Sequence, residues 1–85
     1  MEQLVFARRQ AIRGVADQHE VEGIRWWPAT TGDRWLDFLV EGVPSSLPAL
    51  RTDLEQALGC RVALYLADQM APDTWRRIEA ETLRV

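Results

Sequence analysis

The chain contains no lysine and no asparagine, and only one cysteine and one histidine among its 85 residues. Each shortage removes a class of function. A lone Cys60 excludes an internal disulfide and any zinc centre built from cysteines. Beside the apolar run Val62–Leu66 it reads as a small structural side chain. His19 has no second histidine or cysteine at ligand spacing, so it reads as a helix-end or solvated residue rather than a metal ligand. Thr30, Thr31, Ser45 and Ser46 have no adjacent base, and nucleophilic catalysis has no support. No stretch approaches the roughly 18 apolar residues needed to cross a bilayer. The first ten residues, with Glu2, Arg8 and Arg9 around a short apolar stretch, read as helix rather than export signal. The expectation is a cytoplasmic protein with no membrane partner. A net charge of −3 offers no broad basic face, so nucleic acid is not an expected partner either. All ten basic residues are arginine, which a GC-rich prokaryotic genome explains more simply than a phosphate-binding role.

What is present is an ordinary globular composition, 47% hydrophobic and 27% charged, and no repeat or linker divides it. Residues 1–85 are expected to form one domain. At this size only about 60–65% of the unfolded surface can be buried, so a docked partner or a second copy is plausible. Apolar pairs at Leu4/Val5, Ala11/Ile12 and Val15/Ala16 predict a helix over 3–19. Ile24–Trp27 and Trp35–Val40 read as strands on either side of a turn cluster, Pro28 to Arg34, and are close enough to pair as a hairpin. Ser46 is a good N-cap, Pro48 fits the first helical turn, and Gly59 sits where a left-handed C-cap belongs. Leu47, Leu50, Leu54, Ala57 and Leu58 line one face between them. Val62–Leu66 reads as a third strand, and Asp73 to about Leu83 as a last helix with Trp75, Ile78 and Thr82 on one side. The expected order is α-β-β-α-β-α, an α/β (α+β) fold with a small mixed sheet.

One segment stands out, Arg25–Val40. It has two apolar strands, a short turn and a single carboxylate, Asp37, within the second strand. This segment, together with the C-terminal half of the chain, resembles the minimal nucleotidyltransferase (MNT) family of the DNA polymerase beta-like superfamily. Members carry a strand ending in Arg-Val-Phe-Gly-Ser, then Ala-Arg-Gly, then Ser-Asp-x-Asp-Leu-Leu-Val, a Leu-rich helix, Gly-x-x-Val-Asp on a third strand, and a closing helix. Here Arg25-Trp26-Trp27 matches the end of the first strand, and Trp35-Leu36-Asp37-Phe38-Leu39-Val40 matches the Asp-x-Asp strand. Leu58-Gly59-Cys60-Arg61-Val62-Ala63 matches the approach to the third carboxylate. Met70-Ala71-Pro72 through Glu81 resembles the closing helix. The resemblance covers about Ile12 to Val85.

The resemblance implies a nucleotidyltransferase-like fold, and its departures fall on catalytic positions. Trp35 stands at the first carboxylate position and Ala63 at the third, so Asp37 alone is retained. Pro28-Ala29 replaces the Gly-Ser turn that would approach nucleotide phosphates. Nucleotidyl transfer by the family route uses two divalent ions about 3.5–4 Å apart, held by hard oxygen ligands. With one carboxylate, neither a metal nor a nucleotide cofactor is expected. The implied role is that of a protein-binding partner. MNT proteins often act as antitoxins beside an all-helical HEPN ribonuclease, which makes a HEPN toxin, or self-association, the expected ligand. Trp26, Trp27, Trp35 and Trp75 are the candidate partner contacts. The alternative is a residual Mg2+- and ATP-binding or transferase module, completed by a partner or a second subunit.

Overall fold

The computed structural model describes residues 2–28 and 35–85. The helix expected over 3–19 is present but bent. Helices α1 (Glu2–Ala7) and α2 (Arg9–Gln18) meet at Arg8, whose φ of −102° and ψ of 15° leave the helical basin. The ladder persists through the bend, with Arg8 N–H donating to the Leu4 carbonyl and Ile12 N–H to that of Arg8, both at 3.0 Å. On α1, Val5 is fully buried and Phe6 lies edge-on to the Trp26 ring at 6.2 Å, while α2 buries Ile12, Val15 and Ala16.

Strands β1 (Gly23–Trp26) and β2 (Trp35–Glu41) pair antiparallel from Gly23↔Glu41 to Trp26↔Phe38, in agreement with the hairpin pattern. Trp27 falls just outside β1 but still donates its N–H to the Asp37 carbonyl at 2.9 Å. Helix α3 (Leu47–Leu58) has the two ends expected of it. The Ser46 hydroxyl accepts from Ala49 N–H at 3.3 Å, and Gly59 closes the helix at φ 74°, a conformation that costs glycine least. Leu50, Leu54 and Leu58 face inward. The helix then serves as the crossover that a parallel pair needs, and β3 (Arg61–Leu66) runs parallel to β2.

A 3-10 turn, Ala67–Gln69, leads into α4 (Pro72–Glu79). Here the expectation is corrected, because α4 stops at Glu79 instead of running to about Leu83. The Thr82 hydroxyl explains the early stop: it donates to the Glu79 carbonyl at 2.9 Å and accepts from Arg25 Nε at 2.8 Å, which draws the chain onto the sheet. Leu83–Arg84 then form β4 and pair with β1, giving a four-stranded sheet in the order β3-β2-β1-β4. Alternation along the strands divides the side chains between two faces. Ile24, Trp26, Leu36, Phe38, Val40 and Val62 face α2 and α3 and form the core with Ile12, Val15, Leu50 and Leu54. The opposite face carries the candidate site.

Candidate functional site

That second face is assembled by register. Asp37 lies opposite Ala63, Trp35 opposite Arg61, and Leu39 between Arg25 and Tyr65. Neighbouring strands are about 4.8 Å apart and same-face residues on one strand about 6.6 Å apart, so positions 35, 37 and 63 form one small triangle. Asp37 is only 2% exposed, whereas Trp35, at the strand entrance, is 44% exposed. Trp27, one residue past β1, and Tyr65 on β3 lie on either side of β2, yet their rings meet edge to face at 5.8 Å. They therefore arch across β2 beside Asp37, a geometry that aromatic quadrupoles favour. Along the same face, Glu41 lies 3.6 Å from one Arg25 nitrogen and 4.0 Å from one of Arg84.

No protein-family model and no curated protein matches the chain. A solved structure described as a "putative minimal nucleotidyltransferase" superposes on 95% of this chain and 92% of its own, with a TM-score of 0.77 and 23% sequence identity. The fold is nucleotidyltransferase-like. In this nucleotidyltransferase-like frame, the three positions that the sequence resemblance assigned to carboxylates do converge, and they hold an indole, a carboxylate and a methyl group. A two-ion clamp needs several oxygen ligands around both ions, and this donor set does not fit it. Among the described residues no cluster of three or more His, Cys, Asp or Glu side chains is placed to hold a metal ion. Ala29, Thr30, Thr31 and Asp33, part of the turn considered from sequence, lie outside the described residues, and Pro28 is half-buried at their border.

The four tryptophans separate sharply. Trp26, a candidate partner contact from sequence, is corrected to a core residue at 4% exposure, because its strand position turns it toward the helices and Phe6. Trp27 and Trp75 are half-buried, and Trp35 alone of the four is exposed. Trp35 and Ala63 also border a cleft of about 370 Å³ with Arg51, Glu55, Arg61 and Val62. Tyr65, Arg61 and Arg51 were not among the sequence candidates. Counting residues in step with Asp37 along a parallel β3 would have placed Tyr65 and Arg61 on this face. Arg51 depends on how α3 sits, which no local pattern encodes.

Two polar residues outside the face have structural positions. His19 ends α2, as expected, but it is not solvated: its Nε2 lies 2.7 Å from Asp53 Oδ2, joining α2 to α3, and its side chain is 12% exposed. The Cys60 thiol is held above its ordinary value, first by burial and then by the nearby Glu55 carboxylate. No helix among the described residues is long and apolar enough to cross a membrane.

Proposed function

We propose that this domain binds a partner protein on a nucleotidyltransferase-like frame and does not carry out nucleotidyl transfer. The observation behind the reading is the triangle of Trp35, Asp37 and Ala63, one carboxylate where the chemistry calls for three. A hydrated divalent ion needs space and oxygen donors. An indole at position 35 and a methyl at 63 offer no oxygen donor, and the single carboxylate, Asp37, is only 2% exposed.

Trp35, Trp27 and Tyr65 give the same face rigid, amphipathic surface, the kind that anchors protein interfaces with little loss of side-chain entropy. The partner proposed, on the MNT resemblance, is an all-helical HEPN ribonuclease, with this chain as the antitoxin. Inhibition would then be steric, because modifying the toxin by adenylylation would require the replaced carboxylates.

The test has two arms. Purified protein is incubated with magnesium and labelled ATP, alone and with a HEPN protein encoded beside it, and label transfer is measured. Calorimetry then compares the wild type with Trp35→Ala against that HEPN protein. The expected results are no transfer and a Trp35→Ala loss of about 2 kcal/mol, roughly thirtyfold in affinity. Label transfer that Asp37→Ala abolishes would sink the proposal.

A further inference from the structure

Three elements meet around the cleft of about 370 Å³ at the entrance of β2. β2 supplies the exposed indole of Trp35, α3 supplies Arg51 and Glu55, and β3 supplies Arg61, Val62 and Ala63. Parallel register puts Arg61 opposite Trp35, while Ala63 presents only a methyl group, so the cleft stays open. Arg51 and Arg61 are exposed, and among the described residues neither guanidinium makes an ion pair. Glu55 lies one helical turn from Arg51, at a spacing that often pairs. Its Oε2 instead accepts from Val62 N–H at 3.1 Å and closes the start of β3. The cleft is therefore locally positive in a chain whose net charge is −3.

We infer that this cleft receives an acidic side chain of the partner protein, an Asp or Glu flanked by an apolar residue. The carboxylate lies between Arg51 and Arg61, and the apolar residue packs on Trp35. The inference rests on the protein-binding role proposed above and names the chemistry that the partner brings.

Charge, surroundings and size select this occupant. Two guanidiniums without an ion-pair partner present planar donor forks, and a carboxylate matches their geometry. In open water such a contact is worth little, but the indole beside it keeps water away and strengthens it. Tryptophan and arginine side by side are also the residues in which interface binding energy concentrates. A phosphate polymer suits the cleft less well, because its recognition takes a positive groove several nucleotides long. Here two arginines stand in an acidic chain with Glu55 among them. Glu55 also limits what enters: a second carboxylate would meet a like charge, so one acid beside one apolar residue is selected over an acidic run.

Calorimetry of the full chain against the HEPN protein encoded beside it, at low and at physiological salt, tests this. Arg51→Gln should weaken binding about tenfold and Arg61→Glu about thirtyfold, with both losses shrinking as salt rises. Both positions are exposed, so each variant is checked for a native circular dichroism spectrum and unfolding midpoint. Reversing the partner's surface carboxylates to Arg one at a time should yield one variant that binds the wild type weakly and restores binding to Arg61→Glu. Binding that Trp35→Ala weakens but neither arginine variant moves would overturn this inference and leave the protein-binding role intact. Absence of binding would overturn both. The inference also falls if no partner reversal restores Arg61→Glu. It falls equally if a single-stranded RNA oligonucleotide or inorganic phosphate binds the isolated chain at micromolar concentration and Arg61→Glu abolishes that binding.

Discussion

Introducing a carboxylate opposite Asp37 tests the geometry of the face directly. The substitution is Ala63→Asp, and the register places the new group across one strand spacing from Asp37. Two unit charges about 5 Å apart at an effective dielectric near 20 repel by about 3 kcal/mol. A domain of 85 residues has a total stability of roughly 4–13 kcal/mol, so the loss is large. In a domain of this size it corresponds to a fall in Tm of roughly 12–24 °C. The pH dependence has a definite sign. A like-charged neighbour raises the folded-state titration of the pair above the unfolded carboxylate value of about 3.9. The penalty is therefore full at neutral pH and disappears as pH falls through the raised folded value. Urea unfolding at pH 7.5 and pH 4, in the wild type and in an Asp37→Asn background, separates charge from bulk. Both backgrounds receive the same added atoms, but only one receives the second charge. If Ala63→Asp costs as much in the Asp37→Asn background, or costs the same at both pH values, the two positions do not face each other and the site is wrongly drawn.

The rest of the molecule makes further outcomes testable. Gly59→Ala should cost about 1 kcal/mol in urea unfolding, because φ of 74° opposes a side chain although nothing lies within 4 Å of the added Cβ. Gly42→Ala should cost more, since φ of 99° is combined with an approach of 3.1 Å to the backbone nitrogen of Glu22. His19→Ala should lower stability by about 1 kcal/mol through loss of the Asp53 contact between α2 and α3, read as a lower urea midpoint at unchanged slope. Alkylation of Cys60 by iodoacetamide should show a pH–rate midpoint above that of a free thiol, since burial and Glu55 both disfavour the thiolate; Glu55→Gln should move it down.

The parts of the fold that could be read in advance were those governed by local chemistry. Ser46 and Gly59 marked the ends of α3 because capping is decided by groups a few residues apart, and alternation in Ile24–Trp27 and Trp35–Val40 identified neighbouring strands. The errors arose where distant contacts decide. β4 is two residues long, and Leu83 continues the helical pattern of α4 until Arg25, far away in sequence, takes the Thr82 hydroxyl. The bend at Arg8 accompanies the packing of Phe6 against Trp26 across the core. At the site, alternation alone implied that Trp26 and Trp27 point to opposite faces. Which face lay under the helices, and hence which tryptophan is core, required the packing of α2 and α3. Tyr65 was missed for a related reason: its place beside Asp37 exists only once β2 and β3 are known to be parallel and in register.

The second face also explains how such a small domain tolerates a carboxylate in its sheet. An open face with three convergent carboxylates is stable only with cations to offset their repulsion, and it must stay hydrated to admit them. Here two of those positions hold uncharged groups. The Trp27–Tyr65 pair bridges β2, and the Arg25–Thr82 bond ties the chain after α4 to the same side. Leu39, on this face between Arg25 and Tyr65, is completely buried, so the sheet gains apolar burial on both sides instead of one. For a fully buried leucine that gain is about 1.5–3 kcal/mol. Building a metal site on this face would therefore take more than placing Asp at positions 35 and 63. It would also require lifting the Trp27–Tyr65 bridge, whose edge-to-face packing contributes to stability.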